Sequence, residues 1–239
     1  VRVLVDAGVT CKRLTALLTE IEMDPAGLSG ILVTHEHSDH IAGVGVLARK
    51  YDIPVYADEA CMERLLSLSG GLPPGLMRVF EPDREFYIKE MCVLPFSTPH
   101  DCARPVGYAF TVEGKKLSVM TDIGHVTDRM LDAVAGSDLI LLEANHDVDM
   151  LRAGSYPYSL KMRILGNKGH LCNEDAGLVL VKLHERGVHN AILGHLSDEN
   201  NTPELAMVTV RSVLAEAGIG DDMFLTVAKR SEPTGVFEL

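Results

Sequence analysis

Apolar and polar positions alternate with a period of two in VRVLVDAG at the start of the chain, and the alternation stops at a turn-forming Asp-Ala-Gly. Beyond it, Leu14, Leu17, Leu18 and Ile21 fall on one face of a helix that must close before Asp24-Pro25. A short apolar run predicts a strand over residues 31–34, a helix is expected near 41–50, and a further strand over 54–57. This is a βαβ rhythm. Between about residues 91 and 121 the pattern changes to short β-branched runs, VLPFS, VGYAFTV and KLSVMT. Glu113-Gly114 joins the last two and predicts a hairpin, so antiparallel strands are expected here.

After Asp122 helices and strands alternate again. A helix runs from Thr127 to a stop at Gly136, a strand covers 139–142, and a basic loop follows. Asn173, Glu174 and Asp175 open a helix that reaches Gly187, and residues 191–193 form a strand. The last helix has Thr202 as its cap and Pro203 in its first turn, with Ala206, Val210, Val213, Leu214 and Ala217 on one stripe. No low-complexity linker divides these parts. Strands in both halves, each flanked by helices, predict one α/β domain over 1–239, with two mixed sheets packed together and helices outside.

Composition narrows the class. The 239 residues, 46% of them hydrophobic, suffice for a substantial core. No apolar run approaches the roughly 18 to 20 residues that cross a bilayer, and no charged leader opens the sequence, so a soluble chain without a membrane partner is expected. Five scattered cysteines without a CxxC pair argue against a disulfide framework or a thiolate zinc site and suit a reducing cytoplasm. The first residue is not Met, so the start reads as a trimmed boundary.

A formal charge of −12 excludes general adhesion to a polyanion. Residues 150–172 are the local exception: they contain Arg152, Lys161, Arg163 and Lys168 and no Asp or Glu. Such a segment is either a solvated loop or a phosphate contact. Tyr156 and Tyr158 lie within it, available to stack on a base.

The densest chemistry is THEHSDH at residues 34–40. In an extended segment, residues two apart point to one side, so His35 and His37 can present imidazoles to one metal ion. Asp39 and His40, where the chain turns into a helix, can face a second. Imidazole and carboxylate donors suit Zn²⁺, Mn²⁺ or Fe. Two such cations lower the pKa of a shared water to about neutrality, so that hydroxide attacks an electrophile polarised by the same pair.

THEHSDH resembles the signature of the metallo-β-lactamase-fold hydrolases. VDAG at 5–8, the PHD around His100, the MTD ending at Asp122 and the GH at 194–195 follow in that superfamily's order. ILVTHEHSDHIAGVGVLARKY, EANHDVDML, GHLCNEDA and GHLSDENNTPELA are similar to its YycJ/WalJ-type branch, metal-dependent nucleases acting on DNA. The resemblance implies a four-layer αββα sandwich. It implies that His35, His37 and His100 hold one ion, that Asp39, His40 and His195 hold the other, and that Asp122 bridges. Asp39 and Asp122 would orient the nucleophile for attack on phosphorus.

In the similar tRNA 3′-end-processing nucleases, a Glu and a His in motifs like LLEA and KGHLCNEDA serve the leaving group. By that likeness Glu143 and His170 form a proton-donating pair, although GHLC stands here where that group has GHST. The resemblance further implies 5′-exonuclease action on DNA; by their charge Arg152, Lys161, Arg163 and Lys168 are its candidate contacts, and His146, in NHD, is a candidate contact to the substrate or the metal shell. It also implies an additional strand before VDAG. His125 and His146 otherwise read as structural, His184 and His189 as solvated, and the methionines as core filler. Two alternatives stay open: a metallo-hydrolase of a small ester, thioester, lactone or cyclic phosphate, and a metal-stabilised signalling partner without turnover.

Overall fold

The computed structural model describes residues 1–68, 70–220 and 222–239. Its strands form two sheets accompanied by helices, and the chain falls into two compact units. The first unit is Val1–Ser97 with Cys102–Tyr108; the second is Thr98–Asp101 with Ala109–Leu239.

The first unit is built on a parallel sheet in the order β1 (Val3–Val5), β2 (Gly30–Leu32), β3 (Val55–Asp58), β4 (Met77–Phe80). Every residue of β2 is buried, as a parallel strand covered on both faces requires. Helices α1 (Cys11–Glu20), α2 (Ser38–Ile41), α3 (Val44–Tyr51) and α4 (Glu59–Leu68) connect the strands. Leu14, Leu18, Leu47 and Leu65 from three of these helices share one core with Ile31, Val33, Val55 and Ala57. Each large side chain buried there contributes about 2 kcal/mol of transfer free energy. An antiparallel pair, β5 (Phe86–Ile88) and β6 (Met91–Ser97), follows. Tyr108, fully buried on β7 (Val106–Val112), donates its hydroxyl to the Val33 carbonyl at 2.6 Å and so fixes the residues leading into the histidine-rich turn.

The helix expected near 41–50 is two helices, because the chain bends at Gly43. The Gly43 amide donates to the Ala7 carbonyl at 2.7 Å, and a Cβ there would lie 2.3 Å from the Val9 carbonyl oxygen. Gly8 is tighter still: its Cβ would stand 1.5 Å from the Asp39 carbonyl oxygen. The VDAG turn therefore sits backbone-to-backbone on the 39–43 turn. Asp39 and His40 occupy the first turn of α2 rather than the residues before it.

In the second unit β8 (Lys115–Met120), β9 (Leu139–Glu143), β10 (Asn190–Gly194) and β11 (Phe224–Val227) lie side by side and parallel. Glu113 and Gly114, at φ 51° and 80°, make the two-residue turn that the hairpin signal predicts. The helices are α5 (Asp128–Val134), α6 (Val148–Ala153), α7 (Tyr158–Ile164), α8 (Asn173–His184) and α9 (Pro203–Glu216). Thr202 caps α9 through its hydroxyl, as expected, and Thr127 caps α5 in the same way.

Four readings change. The basic segment contains two short helices, α6 and α7, instead of one loop. Cys172 caps α8, its sulfur accepting from the Asp175 amide at 3.4 Å, a job usually done by Ser or Thr. Ala217 is the exposed C-cap of α9, so the buried stripe ends at Leu214, and Met162 on α7 is half exposed instead of core.

Replacing Gly8 with Ala is expected to cost at least about 3 kcal/mol, because rigid backbone cannot move away from the new methyl. Gly75→Ala is the control; a Cβ there meets no atom within 4 Å, and a change of no more than about 0.5 kcal/mol is expected. Urea unfolding of the two variants reads the difference, and equal midpoints would contradict this seating of the turn.

Candidate metal centre

In the first unit a buried hydrogen-bond network orients the imidazoles. Asp6 accepts from the Thr34 amide at 2.8 Å and the Thr34 hydroxyl at 2.7 Å, and its Oδ2 lies 2.7 Å from His40 Nδ1. The Thr34 hydroxyl oxygen is also 3.0 Å from His35 Nδ1. With an N–H at each Nδ1 as donor, His35 and His40 keep their Nε2 lone pairs for a ligand.

Those lone pairs meet partners suited to a cation. His35 Nε2 stands 3.0 Å from His37 Nδ1, near the roughly 3.3 Å edge of a tetrahedron with ~2.0 Å Zn–N bonds. His40 Nε2 stands 3.8 Å from Asp39 Oδ2. His35 and His40 also lie close to each other, with ring centroids 4.0 Å apart. Glu36, between the histidines, takes a different role: its Oε1 accepts the Ala103 amide at 2.8 Å.

The second unit repeats the device around Glu143, which has no exposed surface. Its Oε1 lies 2.8 Å from both His170 Nδ1 and His195 Nδ1, and its Oε2 accepts the amides of Ile123 and Leu171 at 2.9 and 3.0 Å. Burial alone would raise its pKa, but the hydrogen bonds and charges of His170 and His195 outweigh that and hold the carboxyl well below its ordinary value. His100 Nδ1 donates to the Gly169 carbonyl at 3.0 Å. Burial lowers the His100 pKa against the pull of Asp122, which favours the neutral, ligating form.

With their Nδ1 atoms so held, His100 and His195 turn Nε2 towards Asp122, whose Oδ1 is 3.7 Å from the first and 3.6 Å from the second. One carboxylate oxygen between two imidazole nitrogens is the arrangement a bridging ligand needs. Asp122, Glu143, His170 and His195 each bring a ligand-type atom within 4.8 Å of the others. The donors of both units are the nitrogen and oxygen types that fit Zn²⁺, Mn²⁺ or Fe.

Asp6, Asp122 and His195 all have left-handed backbone, at φ 58°, 59° and 56°. Such strain in non-glycine residues, about 1 to 3 kcal/mol each, concentrates at functional sites. The sequence marks Asp6 as a turn residue and as part of a family motif but not as the partner of His40, and it does not show that Glu143 holds His195 as well as His170. An acid directly before an Ala-Gly turn was the available signal for Asp6; the double role of Glu143 has no local sequence signal.

The other candidates are placed as follows. His146 is 1% exposed, and neither ring nitrogen has a hydrogen-bond partner among the described residues; burial lowers its pKa to about 4. Lys161 Nζ donates to the carbonyls of Arg152 and Gly154, both at 2.7 Å, and Arg163 pairs with Asp101. Arg152 and Lys168 are exposed, and His125 holds the Asn167 carbonyl at 2.9 Å through Nδ1. The departure from GHST falls at Leu171, whose amide donates to Glu143, and at Cys172, a helix cap, and leaves His170 on its carboxylate.

The model of the β-lactamase superfamily domain matches residues 1–196. The exodeoxyribonuclease YycJ of Bacillus anthracis is 45% identical over 92% of this chain and 83% of its own length. The exodeoxyribonuclease WalJ of Streptococcus pneumoniae serotype 2 is 42% identical over 92% of this chain and 82% of its own. Among solved structures, the metallo-β-lactamase fold protein YhfI from Bacillus subtilis superposes with a TM-score of 0.69 at 19% identity, covering 95% of this chain and 84% of that one.

Two measurements follow from this geometry. Asp6→Ala frees His40 without removing a donor, so metal affinity should fall about 10- to 100-fold in a chelator competition; unchanged affinity would show that Asp6 does not orient the ligand. His146 titrates near 4 when folded against an ordinary 6.5. The unfolded chain therefore takes up the proton first. The stability of the neutral form is whole above about pH 6.5 and is lost as pH falls towards 4, about 3 kcal/mol in all. The unfolding free energies of wild type and His146→Leu should converge or diverge by about that amount between pH 7 and 4, with the wild type losing more; parallel pH curves would contradict it.

Proposed function

The chain belongs to the β-lactamase superfamily and has the metallo-β-lactamase fold, and on that premise we propose that it is a dinuclear metal-dependent phosphodiesterase, a DNA nuclease of 5′-exonuclease type. The observation that carries the metal-dependent chemistry is Asp122 Oδ1, set 3.6 and 3.7 Å from two imidazole nitrogens whose opposite ring nitrogens are anchored. The exodeoxyribonuclease relatives, at 45% and 42% identity over most of their length, support DNA as the substrate and the cytoplasm as the compartment.

In this proposal His35, His37 and His100 hold one divalent ion, Asp39, His40 and His195 hold the other, and Asp122 serves both, with Zn²⁺ or Mn²⁺ favoured over Fe. When bound, such ions lower the pKa of water and offset charge developing on a phosphoryl group. The protein's own part is orientation and proton transfer. Asp6, Thr34, Glu143 and the Gly169 carbonyl fix four imidazoles before any ligand arrives. Asp39 and Asp122 would orient the attacking water.

His170 holds the second proton. Its Nδ1 faces Glu143 Oε1 at 2.8 Å, which orients the ring and leaves Nε2 to serve the departing alkoxide. The small-ester and signalling alternatives gain no comparable support, because a carboxylate-held acid beside the ligands serves a poor leaving group above all.

Purified protein with Mn²⁺ and end-labelled DNA should cleave, and Asp39→Ala should fall to background. His170→Ala should lower kcat about 10²- to 10⁴-fold while retaining its metal, as elemental analysis reads. A metal-loaded wild type that cleaves no nucleic acid but turns over a small ester would sink the nuclease assignment.

A further inference from the structure

The turn that carries His195 is held from outside its own strand. Along β10 the carbonyls alternate between neighbours: that of Leu193 accepts the Ala228 amide at 2.7 Å, just past β11, and that of Gly194 accepts the Ala144 amide at 3.0 Å, just past β9. Continued alternation would aim the His195 carbonyl back towards β11. Its left-handed φ of 56° turns it to the β9 side instead, where Asn145 Nδ2 donates to it at 2.9 Å. Histidine has a Cβ, so this conformation persists only where the surroundings over-determine it.

Asn145 grips both arms of the Glu143 network. Its amide donates to the Leu171 carbonyl at 2.9 Å, and its carbonyl accepts the Ser197 amide at 2.7 Å. Leu171 and His195 are in turn partners of Glu143, the first through its amide and the second through Nδ1. The two backbone bonds of Asn145 survive a change of side chain; the bond to His195 does not. Without Nδ2 the carbonyl loses the donor that keeps it on the β9 side, and relaxation of φ at His195 swings the ring as well. Nε2, 3.6 Å from Asp122 Oδ1, would then move off its line.

We propose that Asn145 is a positioning residue for His195: by holding the His195 carbonyl in the left-handed turn, it aims Nε2 at the ion that His195 serves. The inference rests on the metal-dependent reading and adds to it a residue that acts through His195. Asn201 is the comparison provided by the same backbone. It is buried like Asn145, and its Nδ2 donates to the Ala144 carbonyl at 2.9 Å and to Asn173 Oδ1 at 2.8 Å. It braces Ala144 and the start of α8, not the turn at 195.

The test titrates the protein with Zn²⁺ against a chelating indicator, comparing wild type with Asn145→Asp, Asn145→Ala and Asn201→Ala. Asn145→Asp keeps the shape and loses the donor. In both Asn145 variants one binding step should weaken about 10- to 100-fold while the other is unchanged. At saturating Co²⁺ the visible absorption should alter in the Asn145 variants, because an imidazole has moved, and should match wild type in Asn201→Ala even where its unfolding midpoint falls. Unchanged binding in a folded Asn145→Asp or Asn145→Ala overturns the proposal. So does an equal loss at both steps with an unaltered Co²⁺ spectrum, the mark of a merely structural role, and so does failure of both Asn145 variants to fold where Asn201→Ala folds. A wild type that takes up no divalent ion sinks the metal-dependent reading along with this assignment; one that binds two ions but cuts no DNA sinks the nuclease reading alone.

Discussion

Taking a carboxylate out of water costs several kcal/mol unless charge and hydrogen bonds replace its hydration. Glu143 meets that demand with four donors from three loops: the Ile123 amide, the His170 ring, the Leu171 amide and the His195 ring. None of these residues is near it in sequence, so the carboxylate fixes the loops after β8, α7 and β10 relative to one another. Remove it and two imidazoles lose their orientation while two buried amides lose their acceptor. The orientation of the His170 and His195 rings is thus a consequence of one satisfied buried charge.

Asp6 does the same for the first unit on a smaller scale, with the Thr34 amide, the Thr34 hydroxyl and His40 on its two oxygens. Asp6, Asp122 and His195 all sit in left-handed backbone. That conformation is uphill for residues with a Cβ, and it persists here where side-chain hydrogen bonds and close backbone seating over-determine it. The gain is preorganisation. Imidazoles held through Nδ1 lose little freedom when Nε2 engages a ligand, and the second carboxylate oxygen of each network remains occupied by the protein.

The sequence made the βαβ opening, the Glu113-Gly114 turn and the capped helices α5 and α9 legible because their signals are local: period, turn chemistry and a hydroxyl at the cap. Four of the seven expected ligands could be read from THEHSDH alone, since they lie within six residues. His100, Asp122 and His195 needed the family resemblance, for each is a single residue at a strand end. What escaped is non-local. The break at Gly43 comes from the backbone of residues 7–9, 34 or more positions away, and the role of Glu143 towards His195 spans 52 residues. β4, β5 and β11 are three- or four-residue strands without clear alternation, too short to stand out. The basic segment looked like a loop because its helices carry no buried stripe.

That missing stripe bears on how an acidic protein handles a polyanion. Were the four cations of residues 150–172 all directed outward, attraction to phosphate would dominate and would fall steeply with salt. Two of them instead hold α7 in place, against Asp101 and two carbonyls, and the surface so presented is apolar. With Lys161 and Arg163 so engaged, the attraction of this segment for phosphate rests on the exposed side chains of Arg152 and Lys168.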